Sequence, residues 1–385
     1  MASGSGKDAD VAVVGGGVVG CAVAEALASR GAAVAVLEAE KALGLAASGT
    51  NSGILHTGFD SVPGELETRL ILRSNELREP WLRRVGSLGV STIECGAELR
   101  PSDAAEGAIV AEIARGAGRN RVEVALRAGG VLEIPDEAVT DPVAYTLALS
   151  HAAEAAGAEV RTGARVEAIE RGGGGLTLSH TDGTRLRCRV AVNCAGLYAD
   201  QVARLAGDDS FEIYPRKGEF FVFEPPGGEP LERILLPVPT KRTKGVLVFP
   251  TVDGKVVAGP TAHDQTDKGD WSVRPGAAEE VLPKARGMFP ALEGVEPIAS
   301  YAGLRPAGRG VNYAIGASTR CPGLINVAAI RSTGLSASLG IGEHVAALVA
   351  DQGIEVGARN DGDPLEAVSY EGPWWMRTAR EKAPA

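Results

Sequence analysis

The sequence predicts an α/β fold with an α+β part, in which two closely packed domains share 385 residues. A strand, a glycine turn, a helix and a second strand occupy residues 10–38, and similar signals return at 140–196 and near the end of the chain. The region 213–262 between them is rich in predicted strands. This order predicts a discontinuous nucleotide-type domain into which a domain built on an antiparallel sheet is inserted.

Composition excludes several classes of protein. Hydrophobic residues make up 44% and charged residues 23%, which is typical of globular proteins. The net charge of −10 disfavours a nucleic-acid partner, and any anion site must be a local basic cluster. Five scattered cysteines without a C-x-x-C pair predict reduced thiols, no metal site and a cytoplasmic setting. The apolar window Val11–Ala28 contains glycines and Glu25, which favours strand, turn and helix over a membrane span.

The N-terminal unit is predicted in detail. A strand covers Asp10–Val14, a helix covers Val18–Ser29, and a second strand runs over Ala33–Leu37 after Gly31 has stopped the helix. The other predicted elements are a helix at Glu65–Val85 that contains Pro80, a helix from Asp141 to Ala156, one strand over Glu159–Ile169, a hairpin of Leu176–His180 and Leu186–Asn193 around Asp182-Gly183, a helix at Ala277–Met288, strands near Ser300 and Ile325, and a helix at Leu335–Ala350.

Two regions are less regular. The stretch from Glu106 to Gly130 is rich in Arg and Gly, and no element is predicted in it. The tail after Gly353 is polar and is predicted to be extended. Its Trp374-Trp375-Met376 run is expected to pack against the protein itself, although contact with a membrane interface or a partner is an alternative.

The glycine turn carries the first chemical signal. Gly15-x-Gly17-x-x-Gly20 follows a strand and opens a helix, and Glu38 ends the next strand. Gly15 permits a tight turn, Gly17 admits a pyrophosphate, and Gly20 allows close packing of helix on strand. The helix N-terminus offers N–H groups to phosphates, and Glu38 can accept hydrogen bonds from the ribose hydroxyls. The pattern predicts a dinucleotide site but does not separate FAD from NAD.

The following segment favours FAD over NAD. Residues 47–58, Ala-Ser-Gly-Thr-Asn-Ser-Gly-Ile-Leu-His-Thr-Gly, place small and hydrogen-bonding side chains after the ribose acid, as an extended FAD requires. With this run the chain resembles the D-amino-acid-oxidase superfamily of FAD enzymes, most nearly its glycerol-3-phosphate and L-2-hydroxyglutarate dehydrogenase branch. The motifs that carry the resemblance are N-S-G-x-x-H-x-G at 51–58, N-C-A-G at 193–196, Y-P-R-K-G-E at 214–219, P-T-K-x-x-K-G-V-L at 239–247, G-P-T-A at 259–262, G-L-R-P at 303–306 and S-T-G-L-S at 332–336.

The resemblance implies a Rossmann-like FAD-binding domain with a separate substrate domain. The former is assigned to 8–85, 140–212 and 305–355, the latter to 86–139 and 213–304, and the tail to 356–385. The expected contacts of non-covalently held FAD are Gly15, Gly17, Val18, Val19, Gly20, Glu38, Ala47, Ser48, Asn51, Ser52, Gly53, Val166, Ala195, Gly196, Arg305, Gly334, Leu335 and Ser336. The final helix, which opens at Gly334, would stabilise negative charge on the reduced flavin.

The resemblance also implies catalytic roles. His56 would lie near the flavin N5 and take the hydroxyl proton of the substrate, although a structural histidine that holds the loop is the alternative. Arg305 would clamp the anionic group through its planar fork, against the alternative of a structural ion pair. Lys244 would be a second anion ligand or the solvated tip of a hairpin. The expected substrate contacts are Ser52, His56, Lys244, Arg305 and Thr333.

The expected reaction is oxidation of a secondary alcohol beside an anionic group. Glycerol 3-phosphate is the leading substrate, and an L-2-hydroxy acid such as L-2-hydroxyglutarate is the nearest alternative. An amine or amino-acid oxidase, or a flavoprotein subunit that scaffolds a partner dehydrogenase, are more distant ones. The electron acceptor is left open among oxygen, quinone and protein. The expected location is cytoplasmic, with peripheral contact at the inner membrane as an option.

Overall fold

The structure is a computed structural model that describes residues 9–240, 245–360 and 367–382. Its helices are α1 Val18–Ala28, α2 Leu66–Arg84, α3 Ala104–Arg119, α4 Pro142–Ala155, α5 Ala199–Leu205, α6 Ala277–Met288, α7 Gly334–Asp351 and α8 Trp374–Lys382. Its strands are β1 Ala9–Val14, β2 Val34–Leu37, β3 Ile54–Leu55, β4 Thr92–Ile93, β5 Ala97–Leu99, β6 Ala125–Leu126, β7 Leu132–Ile134, β8 Ala138–Thr140, β9 Glu159–Arg161, β10 Val166–Gly172, β11 Gly175–His180, β12 Arg185–Asn193, β13 Ile213–Phe223, β14 Ile234–Leu236, β15 Leu247–Pro250, β16 Val256–Gly259, β17 His263–Asp264, β18 Ala299–Gly308, β19 Ala314–Ala317 and β20 Leu324–Ala328.

A parallel sheet forms the centre of the nucleotide-type half. Its strands follow the order β20, β12, β1, β2 and β9, and each neighbouring pair is parallel. The antiparallel strands β10 and β11 extend it beside β12, and β19 pairs with β20. Because the strands run the same way, β1, β2, β12 and β20 all end at one edge of the sheet, where ligands of such folds bind.

Helix α7 packs against both α1 and α2, and two of its glycines allow this. A Cβ on Gly340 would stand 2.3 Å from the carbonyl oxygen of Leu70 in α2. A Cβ on Gly342 would stand 2.6 Å from the carbonyl oxygen of Ala22 in α1. Both helices therefore approach α7 at backbone distance, which fixes the position of its first turn at the edge of the sheet.

A second sheet forms the other half. Its order is β17, β13, β16, β15, β14, β5, β7 and β6, and β18 pairs with the long strand β13 along ten residue pairs, from Ile213 opposite Gly308 to Val222 opposite Ala299. The predicted antiparallel sheet is confirmed with one exception, since β14 and β5 run parallel. A small sheet of β3, β8 and β4 completes the fold.

The N-terminal unit, the hairpin and the helices α2, α4, α6 and α7 are confirmed within two residues of their predicted ends. Pro80 lies inside α2, which continues to Arg84. The single strand predicted over Glu159–Ile169 is wrong. The chain forms β9 beside β2 and then β10 beside β11, and between them Gly163 adopts a left-handed φ of 67° that interrupts the strand.

The stretch from Glu106 to Gly130, in which no element was predicted, contains most of α3. The side chain of Asp103 accepts a hydrogen bond from the backbone N–H of Glu106 at 2.8 Å, and Glu106 in turn accepts from the N–H and hydroxyl of Ser102. This arrangement is a helix N-cap, and the Asp103-x-x-Glu106 spacing was the signal for it in the sequence.

The extended tail predicted after Gly353 is wrong in its last part, which is helix α8. Trp374 and Trp375 are buried, as the self-packing interpretation expected, and the ring of Trp374 meets that of Tyr301 edge-on at 5.7 Å. The indole N–H of Trp375 donates to Asp253 at 3.0 Å. These contacts stabilise a helix that the polar tail sequence does not favour by itself.

The division of the chain into domains stays a prediction. One boundary deserves adjustment, because residue 305 lies inside β18 and the strand remains paired with β13 as far as Gly308. We propose the end of β18 as the boundary. Among the described helices none is long and apolar enough to cross a membrane.

The packing of α8 generates a stability prediction. Trp374→Ala should lower the free energy of unfolding by about 3–5 kcal/mol, because it empties a buried site beside Tyr301. Arg380→Ala on the exposed face of the same helix should stay within about 0.5 kcal/mol of the parent. Urea denaturation followed by circular dichroism measures both, and equal stability of the two variants would show that α8 does not seal the core.

Candidate active site

The glycine turn is held by backbone approaches that exclude any side chain. Gly15 has a φ of 111°, and a Cβ there would stand 2.5 Å from the carbonyl oxygen of Cys194. A Cβ on Gly20 would stand 1.9 Å from the carbonyl oxygen of Gly15. The end of β1, the start of α1 and the end of β12 are therefore locked together at one point.

The N-terminus of α1 is aimed at this edge of the sheet. Gly17 precedes the helix in an extended conformation and provides no side-chain cap, and the first turn contains no acidic residue. The N–H of Val18 donates instead to the hydroxyl of Ser48 at 2.9 Å. The positive end of the helix and its N–H groups are therefore placed to receive phosphate oxygens, with Ser48 as a further hydrogen-bonding group.

Glu38 follows β2 and closes the same region. One carboxylate oxygen accepts from the N–H of Gly16 at 2.6 Å and the other from the N–H of Glu40 at 2.8 Å. Burial raises the pKa of this carboxyl, and the hydrogen bonds from backbone N–H groups oppose that rise. Each oxygen retains a lone pair that could accept a ribose hydroxyl.

An elongated cavity joins these features. The predicted cofactor contacts that line it are Gly15, Gly17, Val18, Val19, Glu38, Ala47, Ser48, Asn51, Val166, Ala195, Gly196, Gly334 and Leu335. Those outside its lining are Gly20, Ser52, Gly53, Arg305 and Ser336, and the cavity also meets Pro306, Ile330, Arg331 and Ser332. It therefore runs from the ribose acid, past the N-terminus of α1, to the N-terminus of α7.

The loop before β3 is shaped by local hydrogen bonds. The side chain of Asn51 accepts from the N–H of Gly53 at 2.9 Å, and the hydroxyl of Ser52 accepts from the N–H of Ile54. Gly53 has a φ of 78°, and a Cβ there would stand 2.3 Å from the carbonyl oxygen of Thr140. This turn directs the chain into β3 and places His56 directly after it.

His56 is tied to the start of α7 and to a buried acid. Its backbone N–H donates to the hydroxyl of Ser336 at 2.8 Å. Its Nδ1 lies 3.0 Å from a carboxylate oxygen of Glu137, whose side chain is fully buried. Among the described residues Nε2 has no hydrogen-bond partner, and the side chain is 17% exposed. His56 therefore has one ring nitrogen fixed and the other available.

Arg305 lies on β18 opposite Arg216 of β13. Its Nε donates to the carbonyl of Arg216 at 3.1 Å, and its Nη2 donates to the carbonyls of Lys217 at 3.1 Å and Thr261 at 2.7 Å. The motifs at 214–219, 259–262 and 303–306 therefore meet around one guanidinium. Gly218 leaves the space for it, since a Cβ there would stand 3.0 Å from Nη2.

The charge of Arg305 has no direct counter-ion among the described residues. Within the described ranges no carboxylate lies at ion-pairing distance from it, and its Nη1 nitrogen has no partner. Burial and the neighbouring charge of Arg216 lower its pKa to about 10, so it remains protonated at neutral pH. The fork expected from the sequence is occupied by carbonyls, and an anion would be met by the two N–H groups of Nη1.

Two predicted substrate contacts remain, Thr333 and Lys244. The hydroxyl of Thr333 lies 2.8 Å from that of Tyr313 and donates to Glu67 at 2.7 Å. Lys244 lies outside the described residues. Two charged residues were missed by the sequence reasoning, Glu137 beside His56 and Arg331 on the cavity wall. Glu137 is brought to His56 by the pairing of β3 with β8, and no local sequence pattern announces it.

Parallel strands that end at a glycine turn, a carboxylate at the end of the second strand, and a cavity lined by both are typical of a dinucleotide-dependent enzyme. The residues fit FAD, because the turn admits a pyrophosphate and the cavity continues beyond it to a second helix N-terminus. The chain matches the family model of FAD dependent oxidoreductases called DAO over residues 10–348. It belongs to this family and is an FAD-dependent oxidoreductase, as the resemblance predicted.

Relatives of known name agree with this assignment. A glycerol 3-phosphate dehydrogenase of Caloramator mitchellensis is 30% identical over 87% of this chain and 72% of its own length. A glycerol 3-phosphate oxidase of Mycoplasma pneumoniae is 29% identical over 86% of this chain and 91% of its own. A mitochondrial L-2-hydroxyglutarate dehydrogenase of Arabidopsis thaliana is 27% identical over 88% of this chain and 82% of its own.

Solved structures share the fold. The dithionite-reduced L-α-glycerophosphate oxidase of Mycoplasma pneumoniae with FAD bound superposes with a TM-score of 0.85 at 24% identity, covering 94% of this chain and all of that one. Glycine oxidase of Geobacillus kaustophilus superposes with a TM-score of 0.78 at 26% identity, covering 95% of this chain and all of its own.

The glycine turn generates a binding prediction. Gly17→Ala should fold, because Gly17 has a φ of −80°, but its methyl group would project toward Ser48 and the cavity. We expect FAD affinity to fall at least about tenfold, equivalent to about 1.4 kcal/mol. Gly107→Ala in α3, where a Cβ meets nothing within 4 Å, is the matched control. Flavin fluorescence titration of the apoprotein measures both, and unchanged affinity in Gly17→Ala would remove the turn from the cofactor site.

Proposed function

We propose that the protein oxidises a secondary alcohol beside an anionic group, with glycerol 3-phosphate as substrate and dihydroxyacetone phosphate as product. The observation that carries the proposal is the half-buried Arg305 guanidinium, which is protonated and has no ion-pair partner among the described residues. A charge that is partly removed from water without an ion-pair partner favours a ligand of opposite charge. Support also comes from the two glycerol 3-phosphate enzymes at 30% and 29% identity.

The substrate would be held by the second sheet. Nη1 of Arg305 donates to the phosphate, while the carbonyls of Arg216, Lys217 and Thr261 fix the orientation of the guanidinium. A side chain immobilised in this way loses little further entropy when the anion binds. Lys244 is proposed as a second phosphate ligand, as the family resemblance implies.

His56 would act as the base. Its Nε2 takes the proton of the substrate hydroxyl at C2, and the bond from its backbone N–H to the hydroxyl of Ser336 fixes the backbone at this position. Bound FAD supplies the acceptor for the hydride that leaves C2. The N-terminus of α7, at Gly334 and Leu335 on the cavity wall, would stabilise negative charge on the reduced flavin.

A second candidate substrate is L-2-hydroxyglutarate. The relative from Arabidopsis thaliana favours it, and Arg305 would then receive a carboxylate in place of a phosphate. The chemistry asked of His56 is the same, so the two candidates differ only in the anion and in the walls of the pocket around it.

Anaerobic mixing of the FAD-loaded protein with each substrate tests the proposal. Glycerol 3-phosphate should bleach the flavin absorbance, and Arg305→Ala should raise the substrate concentration for half-maximal rate about 10–100-fold through loss of a charged hydrogen bond. His56→Asn should slow bleaching about 10²–10⁴-fold at saturating substrate, as expected for loss of a general base.

Two matched variants control for generic damage. Arg185→Ala removes an exposed arginine of β12 that pairs with Glu170, and His151→Asn changes a histidine in the last turns of α4. Both should reduce at the parent rate. Bleaching by L-2-hydroxyglutarate alone would transfer the proposal to the second candidate, and full rates in both His56→Asn and Arg305→Ala would contradict the assigned roles.

A further inference from the structure

Glu137 is a fully buried carboxylate that takes no part in the bond changes described above. It lies directly before β8, and the antiparallel pairing of β8 with β3 brings it beside the residues that follow β3. Two donors and one ring nitrogen converge on it. Its Oε1 accepts from the N–H of Thr57 at 2.7 Å and from the hydroxyl of Thr57 at 2.9 Å, and its Oε2 lies 3.0 Å from Nδ1 of His56.

This pattern has a consequence for His56. A carboxylate can only accept hydrogen bonds, so the neutral imidazole must carry its proton on Nδ1 in order to bond to Glu137. The lone pair is then on Nε2, the nitrogen that has no partner among the described residues. A ring in the other tautomer would present an N–H at that position and could not accept a proton.

A buried charge requires compensation, and the surroundings of Glu137 provide it. The two donors of Thr57 satisfy one oxygen, and the positive charge of Arg78 acts on the carboxylate from α2. Arg78 also donates to the carbonyl of Ser336, and the hydroxyl of Ser336 accepts a hydrogen bond from the backbone N–H of His56. Glu137 is therefore part of a network of polar residues that includes His56 and reaches the first turn of α7.

The geometry points to Glu137 as a positioning residue that fixes the tautomer and orientation of His56 and stabilises the imidazolium formed when His56 takes the substrate proton. This inference rests on the proposed role of His56 as the base. Glu137 itself touches neither substrate nor cofactor in this scheme. A purely structural role, in which it only ties down the loop at Thr57, is the competing interpretation.

The tautomer of His56 can be measured directly in the protein. With ¹⁵N-labelled histidine, the nitrogen shifts of His56 report which ring nitrogen carries the proton, and the signals missing from His56→Asn assign them. The inference expects a proton on Nδ1 and an unprotonated Nε2 at a pH where the ring is neutral. A proton on Nε2 in the parent protein would overturn it, whatever the variants of Glu137 do.

Glu137→Gln then separates positioning from structure. The amide oxygen can still accept from Thr57, but its NH₂ group would donate to Nδ1 and move the proton of His56 to Nε2. We expect the nitrogen shifts to report this change and flavin reduction by glycerol 3-phosphate to slow about 10²–10⁴-fold, with the half-saturating substrate concentration changed less than about threefold. Glu137→Asp retains the acceptor and should restore the Nδ1–H tautomer and part of the rate.

Two comparisons make the result specific. Glu25→Gln neutralises another buried carboxylate, one that pairs with Arg84 and Arg359, and should change neither the tautomer nor the rate. In a His56→Asn background, Glu137→Gln should cause no further loss of rate. The parent tautomer and the parent rate of flavin reduction in Glu137→Gln, with His56→Asn inactive, would overturn the inference alone. A full rate in His56→Asn would instead overturn the proposed function.

Discussion

The fold depends on one close approach of backbone to backbone. Gly20 packs against the carbonyl of Gly15, and Gly15 against the carbonyl of Cys194, at distances where no side chain fits. This contact sets the first turn of α1 between the ends of β1 and β12, and the parallel register carries β2 and β20 to the same edge. The N-terminus of α1, Glu38 and the pair Ala195 and Gly196, all proposed contacts of FAD, line one cavity at this edge.

The chemistry is distributed between the two sheets. His56 is attached to the nucleotide-type half through Ser336 at the start of α7, and Arg305 belongs to the second sheet, with the next residue, Pro306, on the cavity wall. In the proposed function, the anion ligand and the base would therefore come from different halves of the protein. Three backbone carbonyls fix the orientation of Arg305. Two of them belong to the 214–219 motif and one to the 259–262 motif.

Local signals predicted much of this and failed where distant contacts decide. The glycine turn and Glu38 could be predicted because turn, helix start and acid are close together in the sequence. The Asp103 cap of α3 is a local signal of the same kind, but no helix was predicted there. Helix α8 was not, because its stability comes from burying Trp374 against Tyr301. Glu137 was not, because only the pairing of β8 with β3 brings it to His56. The fork of Arg305 was expected to face an anion, and the acceptors that occupy it lie on β13 and at Thr261, in the segment between β16 and β17.

The central claim is that Arg305 and His56 direct removal of the hydrogen at C2 of a phosphorylated alcohol. Anaerobic flavin reduction by glycerol 3-phosphate carrying deuterium at C2 tests it most directly, with the unlabelled compound beside it. The account predicts bleaching by both, slower for the deuterated substrate because the C2–hydrogen bond breaks in that step. A flavin that dithionite reduces but glycerol 3-phosphate does not, or bleaching that deuterium at C2 leaves unchanged although chemistry limits the rate, would contradict it.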